Sequence, residues 1–529
     1  MPASKNSKNS RISKPKALRG RNPAGTALPA QSPLLILAAS GLLSALSIWW
    51  FYRHGYLFYY GDAQAHLTIA RRVVDSLTPG WEQIGTVWLP LPHVLMLPLV
   101  MDGFLWRTGL AGAIASGICF VIATGFLYGA ARRAFGSGVA GVTAAAIFAL
   151  NPNMLYLQSI PMTEPVFFAA LLGLVYFLVR IHQTPGMRHI IGAGLAALAG
   201  TMCRYDGWVL LPFVAAYIFW RAGAAGAVLF TFITAVGPLY WFAHNYWYCG
   251  NALEFYNGPY SPMAIQGGRD YPGKGDWLVA WQFYRSAAIL NTGLPMALLA
   301  VPGTIAALIK RAWLPVLLLG LPMAFYLLSM HSSGGTPIFV PALYNDSYYN
   351  TRYGLALLPF GAFCIAGLIS GPMPRLMSTI LVLLSVSPWI AYPRMESWIT
   401  WKESQVNSHH RRLWTAEAVE FMRANYSPGD KILMPLSDLV GIPRELGIPL
   451  RNIVHEGNGL AMSASLARPD LFVMERWAIG IAGDEVSRRV ADWRRKGLYW
   501  DCVKIVNVKG AAPVEIYRRR GPRPPSMAP

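Results

Sequence analysis

Asp62, Glu164, Arg204, Asp206, Asp346 and Arg352 sit in short polar stretches between long apolar runs. Carboxylates and arginines in one place suit group transfer. One carboxylate takes the proton of an attacking hydroxyl, and a guanidinium, whose planar fork matches phosphate, steadies a departing phosphate oxygen. Asp62 lies in Tyr59-Tyr60-Gly61-Asp62-Ala63-Gln64-Ala65-His66, which reads as helical from Asp62 onward, so Asp62 and His66 share a face. An acid beside a membrane span is costly to desolvate and points to function; the same acid is also a good helix cap. His66 fits packing or polar support as well as it fits a site. Glu164, in Pro161-Met162-Thr163-Glu164-Pro165, is either a favourable charge at a helix start or a second catalytic acid. In Arg204-Tyr205-Asp206-Gly207 the two charges pair with each other, or Arg204 meets a phosphate. Arg352 ends a loop that contains Asp346, and is either an interfacial anchor or a phosphate ligand. Asp62 and Glu164 are thus the catalytic candidates. His66, Arg204, Asp206, Asp346 and Arg352 are the candidates for holding a lipid phosphate or sugar. The aromatic loop Tyr246-Trp247-Tyr248 to Tyr256 and Tyr260 fits a membrane interface or a sugar-stacking surface.

The elements that must position these residues are membrane spans. Of the 529 residues 54% are hydrophobic and 13% charged, with mean hydropathy +0.36; a soluble domain carries about 25% charged residues. Apolar runs near span length predict eleven spans, at 33–52, 111–130, 134–150, 165–179, 189–203, 207–220, 222–242, 286–309, 312–330, 353–370 and 376–392. The run 89–106 carries Pro90, Pro92, Pro98, His93 and Asp102 and reads as re-entrant or interfacial instead.

Seven basic residues and no acid precede position 23, and residues 1–32 read as a disordered cytoplasmic tail. Alternate short loops are then basic and free of acids: Arg132 and Arg133, Arg180 and Arg188, Arg221, Lys310 and Arg311, Arg375. By the positive-inside rule these face the cytoplasm. Every candidate site residue falls on the opposite side, as does the region after the last span.

From about 400 on the chain is charged and has no spanning run. A helical stretch at 415–425 and strand-like runs at 431–434, 471–474, 503–508 and 514–517 predict a small α/β domain. The fold class is therefore an all-α polytopic membrane domain, 33–392, with a C-terminal α/β domain, 393–529, placed outside the cytoplasmic membrane of a bacterium. The net charge of +20 is spread over a tail and membrane loops rather than one basic face, which argues against nucleic acid. Five cysteines without CxxC spacing predict isolated thiols. No cluster demands a metal; a divalent ion (Mg or Mn) bridging an acid and a phosphate is compatible with the pattern.

Tyr60-Gly61-Asp62, Pro161-Met162-Thr163-Glu164, and Arg352-Tyr353-Gly354 with Pro359 resemble the C-type glycosyltransferase superfamily. The resemblance is to bacterial members related to protein O-mannosyltransferases and lipid A aminoarabinose transferases, and it covers roughly 33–392. It implies a polyprenyl-phosphate sugar donor and a first-loop acid, Asp62 here, as catalytic base. Many relatives carry an Asp-Glu pair where this chain has Asp62-Ala63, which leaves Glu164 to supply any second carboxylate. The acceptor is a protein, a lipid or a glycan. Two other classes fit the same spans: a transporter or flippase without bond chemistry, and an O-antigen ligase or polymerase using a diphosphate-linked glycan.

Overall fold

The structure, a computed structural model, describes residues 33–266, 271–332, 337–496 and 499–520; the basic tail lies outside the described residues. It is a multi-pass membrane protein. The helices Pro33–Arg53, Leu110–Phe135, Glu164–Gln183, Asp206–Cys249, Trp313–His331 and Pro374–Ala391 are long and apolar enough to cross a bilayer. Their outer faces are apolar too: Leu34, Leu42, Leu46 and Trp49 of the first helix are exposed, as a lipid-facing surface requires.

Among the described residues six helices have span length, and up to eight spans result if each of two bent helix pairs counts as one, so the eleven expected are not reproduced one for one. Asp206–Cys249 is not one rod. Gly223 adopts φ 78°, ψ −179°, and Trp241 Nε1 donates to Tyr205 Oη at 2.9 Å, although a straight helix would separate those residues by about 54 Å. The segment is a hairpin with Arg221 at its turn, as the two spans at 207–220 and 222–242 anticipated. The expected span 286–309 is broken. Helices Trp277–Thr292 and Leu294–Ile309 meet at 104°, because Gly293 stands at φ 80° and Pro295 follows it. The expected span 353–370 begins as a 3-10 turn, Thr351–Ala356, before the helix Leu357–Ala366. The 89–106 run forms two short helices, Leu91–Val100 and Gly103–Thr108; ten residues rise about 15 Å, half of a hydrocarbon core.

The charge pattern sorts to two ends. The basic loops touch one another: Gln183 Nε2 donates to Arg133 O at 3.1 Å, Arg221 to His182 O at 2.6 Å, and Lys310 Nζ to Ile369 O at 2.9 Å. Helix Glu164–Gln183 runs from the acidic end to this basic end over 20 residues, or about 30 Å, one hydrocarbon thickness.

The C-terminal region carries a mixed five-stranded sheet in the order β2-β1-β3-β5-β4. The strands are β1 Ile432–Leu433, β2 Ile453–Val454, β3 Trp477–Ile481, β4 Trp500–Val506 and β5 Val514–Arg519. β1 is parallel to β2 and β3, and β5 is antiparallel to β3 and β4. The strand expected at 471–474 is wrong. Pro469 opens a helical turn, Pro469–Phe472, suiting the fixed φ of proline at a helix start, and the central strand follows at β3. This region packs onto the segment between the first two long helices, since Leu67, Met96, Val100 and Trp106 share one apolar cluster with Trp414, Ile432, Ile479 and Ile516.

Candidate active site

Three acids begin helices: Asp62 in the first turn of Gly61–Val74, Glu164 at the start of Glu164–Gln183, and Asp206 at the start of its hairpin. A negative charge is favoured there by the aligned peptide dipoles. Asp62 is not the cap of its helix; Tyr60 holds that position. Its carboxylate turns instead to Arg352.

Arg352 is the hub. Its Nη2 donates to Asp62 Oδ2 at 2.5 Å, its Nε to Glu164 Oε1 at 3.0 Å, and its Nη1 lies 3.5 Å from Glu403 Oε1. The guanidinium lies over Tyr60 and Tyr353, 5.3 and 5.2 Å from the ring centroids. A fork with five N–H donors is the side chain able to serve three carboxylates at once. The burial is uneven: side-chain exposure is 8% for Arg352, 6% for Glu164 and 2% for Glu403, but 37% for Asp62. Asp62 is thus the carboxylate of this cluster that meets solvent.

Arg204 braces the other side. It donates to Thr163 Oγ1 at 3.0 Å, Glu164 Oε1 at 3.2 Å, Asp206 Oδ1 at 3.3 Å and Tyr326 Oη at 2.7 Å. Tyr326 Oη in turn donates to Asp206 Oδ2 at 2.7 Å. Arg204 is therefore enclosed by acids and a phenol, and it pairs with Asp206. Glu164 Oε1 takes both arginines while its Oε2 is buried without a partner. A buried, half-satisfied carboxylate marks a place where a polar group is wanted.

The polar floor comes from asparagines. Asn151 and Asn153 donate to Asn291 O at 2.9 and 3.0 Å, Asn291 donates to Thr351 O at 2.6 Å, and Thr400 N–H donates to Asn153 Oδ1 at 3.0 Å. Gly354 lets the Arg352 turn lie against the helix below; a Cβ there would sit 2.4 Å from Ala287 C and 2.6 Å from Ala288 N. Neither backbone can yield cheaply, so Gly354→Ala should destabilise by about 1–3 kcal/mol, read as a lower thermal midpoint in detergent. An unchanged midpoint would count against the packing described.

Two expected members stand elsewhere. His66 is buried, 3.0 Å from His93 Nε2, and its ring is tilted 41° against Trp88 with the centroids 4.4 Å apart. Burial, then Arg352 and Arg204, push its pKa down to about 3, so it is a neutral packing group. It lies one helical turn behind Asp62 without touching the acids or arginines. Asp346 occupies an exposed turn at φ 52°, apart from the ion pairs of the cluster. Its loop contributes Asn350, Thr351 and Arg352 instead. Glu403, from the helix Ile399–Asn407, was not singled out in the sequence, since nothing about Trp401-Lys402-Glu403-Ser404 distinguishes it from a surface helix. Burial pushes its carboxyl up, opposed by Arg352 and Thr351.

The C-terminal region also grips the turn leading into Asp62. Arg411 donates to Tyr59 O at 2.6 Å, Arg412 lies 4.3 Å over the Tyr59 ring, and Arg444 lies 3.5 Å over Phe58 while donating to Gln64 Oε1 at 3.0 Å. Among the described residues no three His, Cys, Asp or Glu side chains are placed to hold a metal ion. The acids here face guanidinium groups rather than each other.

A family model of dolichyl-phosphate-mannose-protein mannosyltransferase matches residues 96–247, a stretch that includes Glu164, Arg204 and Asp206. No curated protein matches the chain by sequence. Among solved structures, ArnT from Cupriavidus metallidurans bound to undecaprenyl phosphate aligns with TM-score 0.56 and 12% identity over 91% of this chain and 97% of its own. The same enzyme in its apo state aligns with TM-score 0.52 and 13% identity over 91% and 97%. The oligosaccharyltransferase of Archaeoglobus fulgidus, in complex with zinc and sulfate, aligns with TM-score 0.45 and 13% identity over 92% and 73%.

Proposed function

We propose that this chain, a membrane protein with the C-type glycosyltransferase fold that its sequence resembled, transfers a sugar from a polyprenyl-phosphate donor to an acceptor hydroxyl. The observation that carries the reading is the shared Arg352. Two buried acids fix one guanidinium, and a third, Asp62, meets it at the solvent edge. A relative in fold, ArnT, is known bound to undecaprenyl phosphate, which supports the donor class. The donor's lipid chain would lie among the spans and its phosphate at their acidic-end mouth.

The reaction is a single displacement. The acceptor oxygen attacks the anomeric carbon, and its proton passes to Asp62 as general base. The bond from the anomeric carbon to the phosphate oxygen breaks, and the lipid phosphate leaves with the electron pair. Arg352 Nη2, released by Asp62 as that acid takes the proton, stabilises the leaving phosphate, a charge-assisted contact made stronger by burial. Arg204 is enclosed, so its part is to hold Glu164 and Asp206 rather than to meet the phosphate. By the basic-loop rule the site faces away from the cytoplasm, on the extracytoplasmic side of a bacterial inner membrane.

Transfer differs from transport in one readout. Purified protein with labelled polyprenyl-phosphate sugar and a mixture of acceptor glycans, lipids and peptides should release free polyprenyl phosphate and label one acceptor. Passage of the intact lipid-linked sugar across a vesicle bilayer, with no release, would point to a flippase; a requirement for a diphosphate donor would point to a ligase.

A further inference from the structure

The cation that meets the leaving group must itself be held, and the holder comes from beyond the last span. Glu403 Oε2 accepts the Thr351 N–H at 2.8 Å and the Thr351 hydroxyl at 2.5 Å, and its Oε1 accepts the Asn350 N–H at 3.1 Å and faces Arg352. Asn350 stands at φ 52°, a left-handed conformation that a non-glycine residue adopts at a cost and keeps only when its surroundings enforce it. Asn350 Nδ2 donates to Pro337 O at 3.0 Å, and the rest of that enforcement is Glu403. Its helix is wedged into the membrane core through buried Trp401, while Thr400 is tied to Asn153.

We propose that Glu403 is a positioning residue: one buried carboxylate fixes both the turn that launches Arg352 and the guanidinium itself, so that the segment after the last span completes the active site of the membrane domain. The inference rests on the transfer reaction for its catalytic meaning, but its structural half stands alone. Asp62 is faced by Arg352, Glu403, Arg411 and Tyr349. Removing the charge of Glu403 leaves Arg352 to fewer acids and takes one negative charge from the surroundings of Asp62.

The test uses the full chain in lipid nanodiscs and has two arms. Hydrogen exchange at the Asn350 and Thr351 amides should be slow in the wild type and faster in Glu403→Ala; fast exchange in the wild type, or protection that survives the substitution, would overturn the anchor. Glu403→Gln, which keeps an oxygen for the Thr351 donors, should lower kcat by about 10–100-fold, with a smaller change in donor KM. An unchanged kcat in folded protein, or a loss carried by KM alone, would overturn the positioning role. A wild type that releases no lipid phosphate removes the transfer reading, while the exchange arm still decides whether Glu403 holds the turn.

Discussion

Asp62→Asn should reduce sugar transfer by about 10²–10⁴-fold, the range spanned by a general base in place, while leaving the protein folded. Asparagine keeps the shape and an oxygen toward Arg352 but cannot accept the acceptor's proton. The stability cost is small because Asp62 is 37% exposed on its side chain and Arg352 keeps Glu164 and Glu403; a partly solvated ion pair is worth about 1 kcal/mol or less. The variant should therefore elute and melt like the wild type and still bind the donor lipid. Rates within a few-fold of wild type would remove Asp62 from the role of base.

Arg352→Ala should lose both activity and stability, which separates it from Asp62→Asn. Removing the guanidinium leaves Glu403, at 2% side-chain exposure, without its cation, while Glu164 keeps Arg204; orphaning one side of a buried ion pair costs about 3–5 kcal/mol. Arg352→Lys should rescue little, since a single ammonium cannot serve three carboxylates in different directions. The deficit has a pH signature. In the variant Glu403 loses the cation that opposes its upward shift by burial, so its folded-state pKa stands further above the unfolded one. The folded state then has its full stability below the ordinary carboxylate range and loses it as pH rises through the raised value, so the gap to wild type narrows toward about pH 4–5. Thermal unfolding in detergent at pH 5 and pH 7.5 reads this directly; a gap that widens at low pH would contradict the arrangement.

Much of the site was legible because charge is scarce in this chain. Asp62, Glu164, Arg204, Asp206 and Arg352 stood out against apolar runs, the basic loops sorted them to one end, and the structure brings all five into one cluster. Asp346 stood out for the same reason, yet it is an exposed turn residue: polarity near a span marks the interface as readily as the site. His66 was correctly placed on the helix of Asp62, but its partner His93 comes from the helix Leu91–Val100, a contact no spacing encodes. Glu403 was illegible because its significance comes from burial by a distant part of the chain, and its local sequence reads as an ordinary polar helix. The broken span at Gly293 was missed because hydropathy averages over a window, whereas φ at one glycine decides direction. The β3 strand was missed in favour of 471–474, where an apolar run after Pro469 folds as a helical turn.

The central claim is a single displacement at the anomeric carbon with Asp62 as base and a lipid phosphate as leaving group. Its most direct test is the anomeric configuration of the product, read from the one-bond and vicinal coupling constants of the transferred sugar by NMR. One displacement inverts that carbon, so a donor of one configuration should give a product of the other, with one equivalent of polyprenyl phosphate released. A product of retained configuration, or a donor recovered intact, would contradict the account.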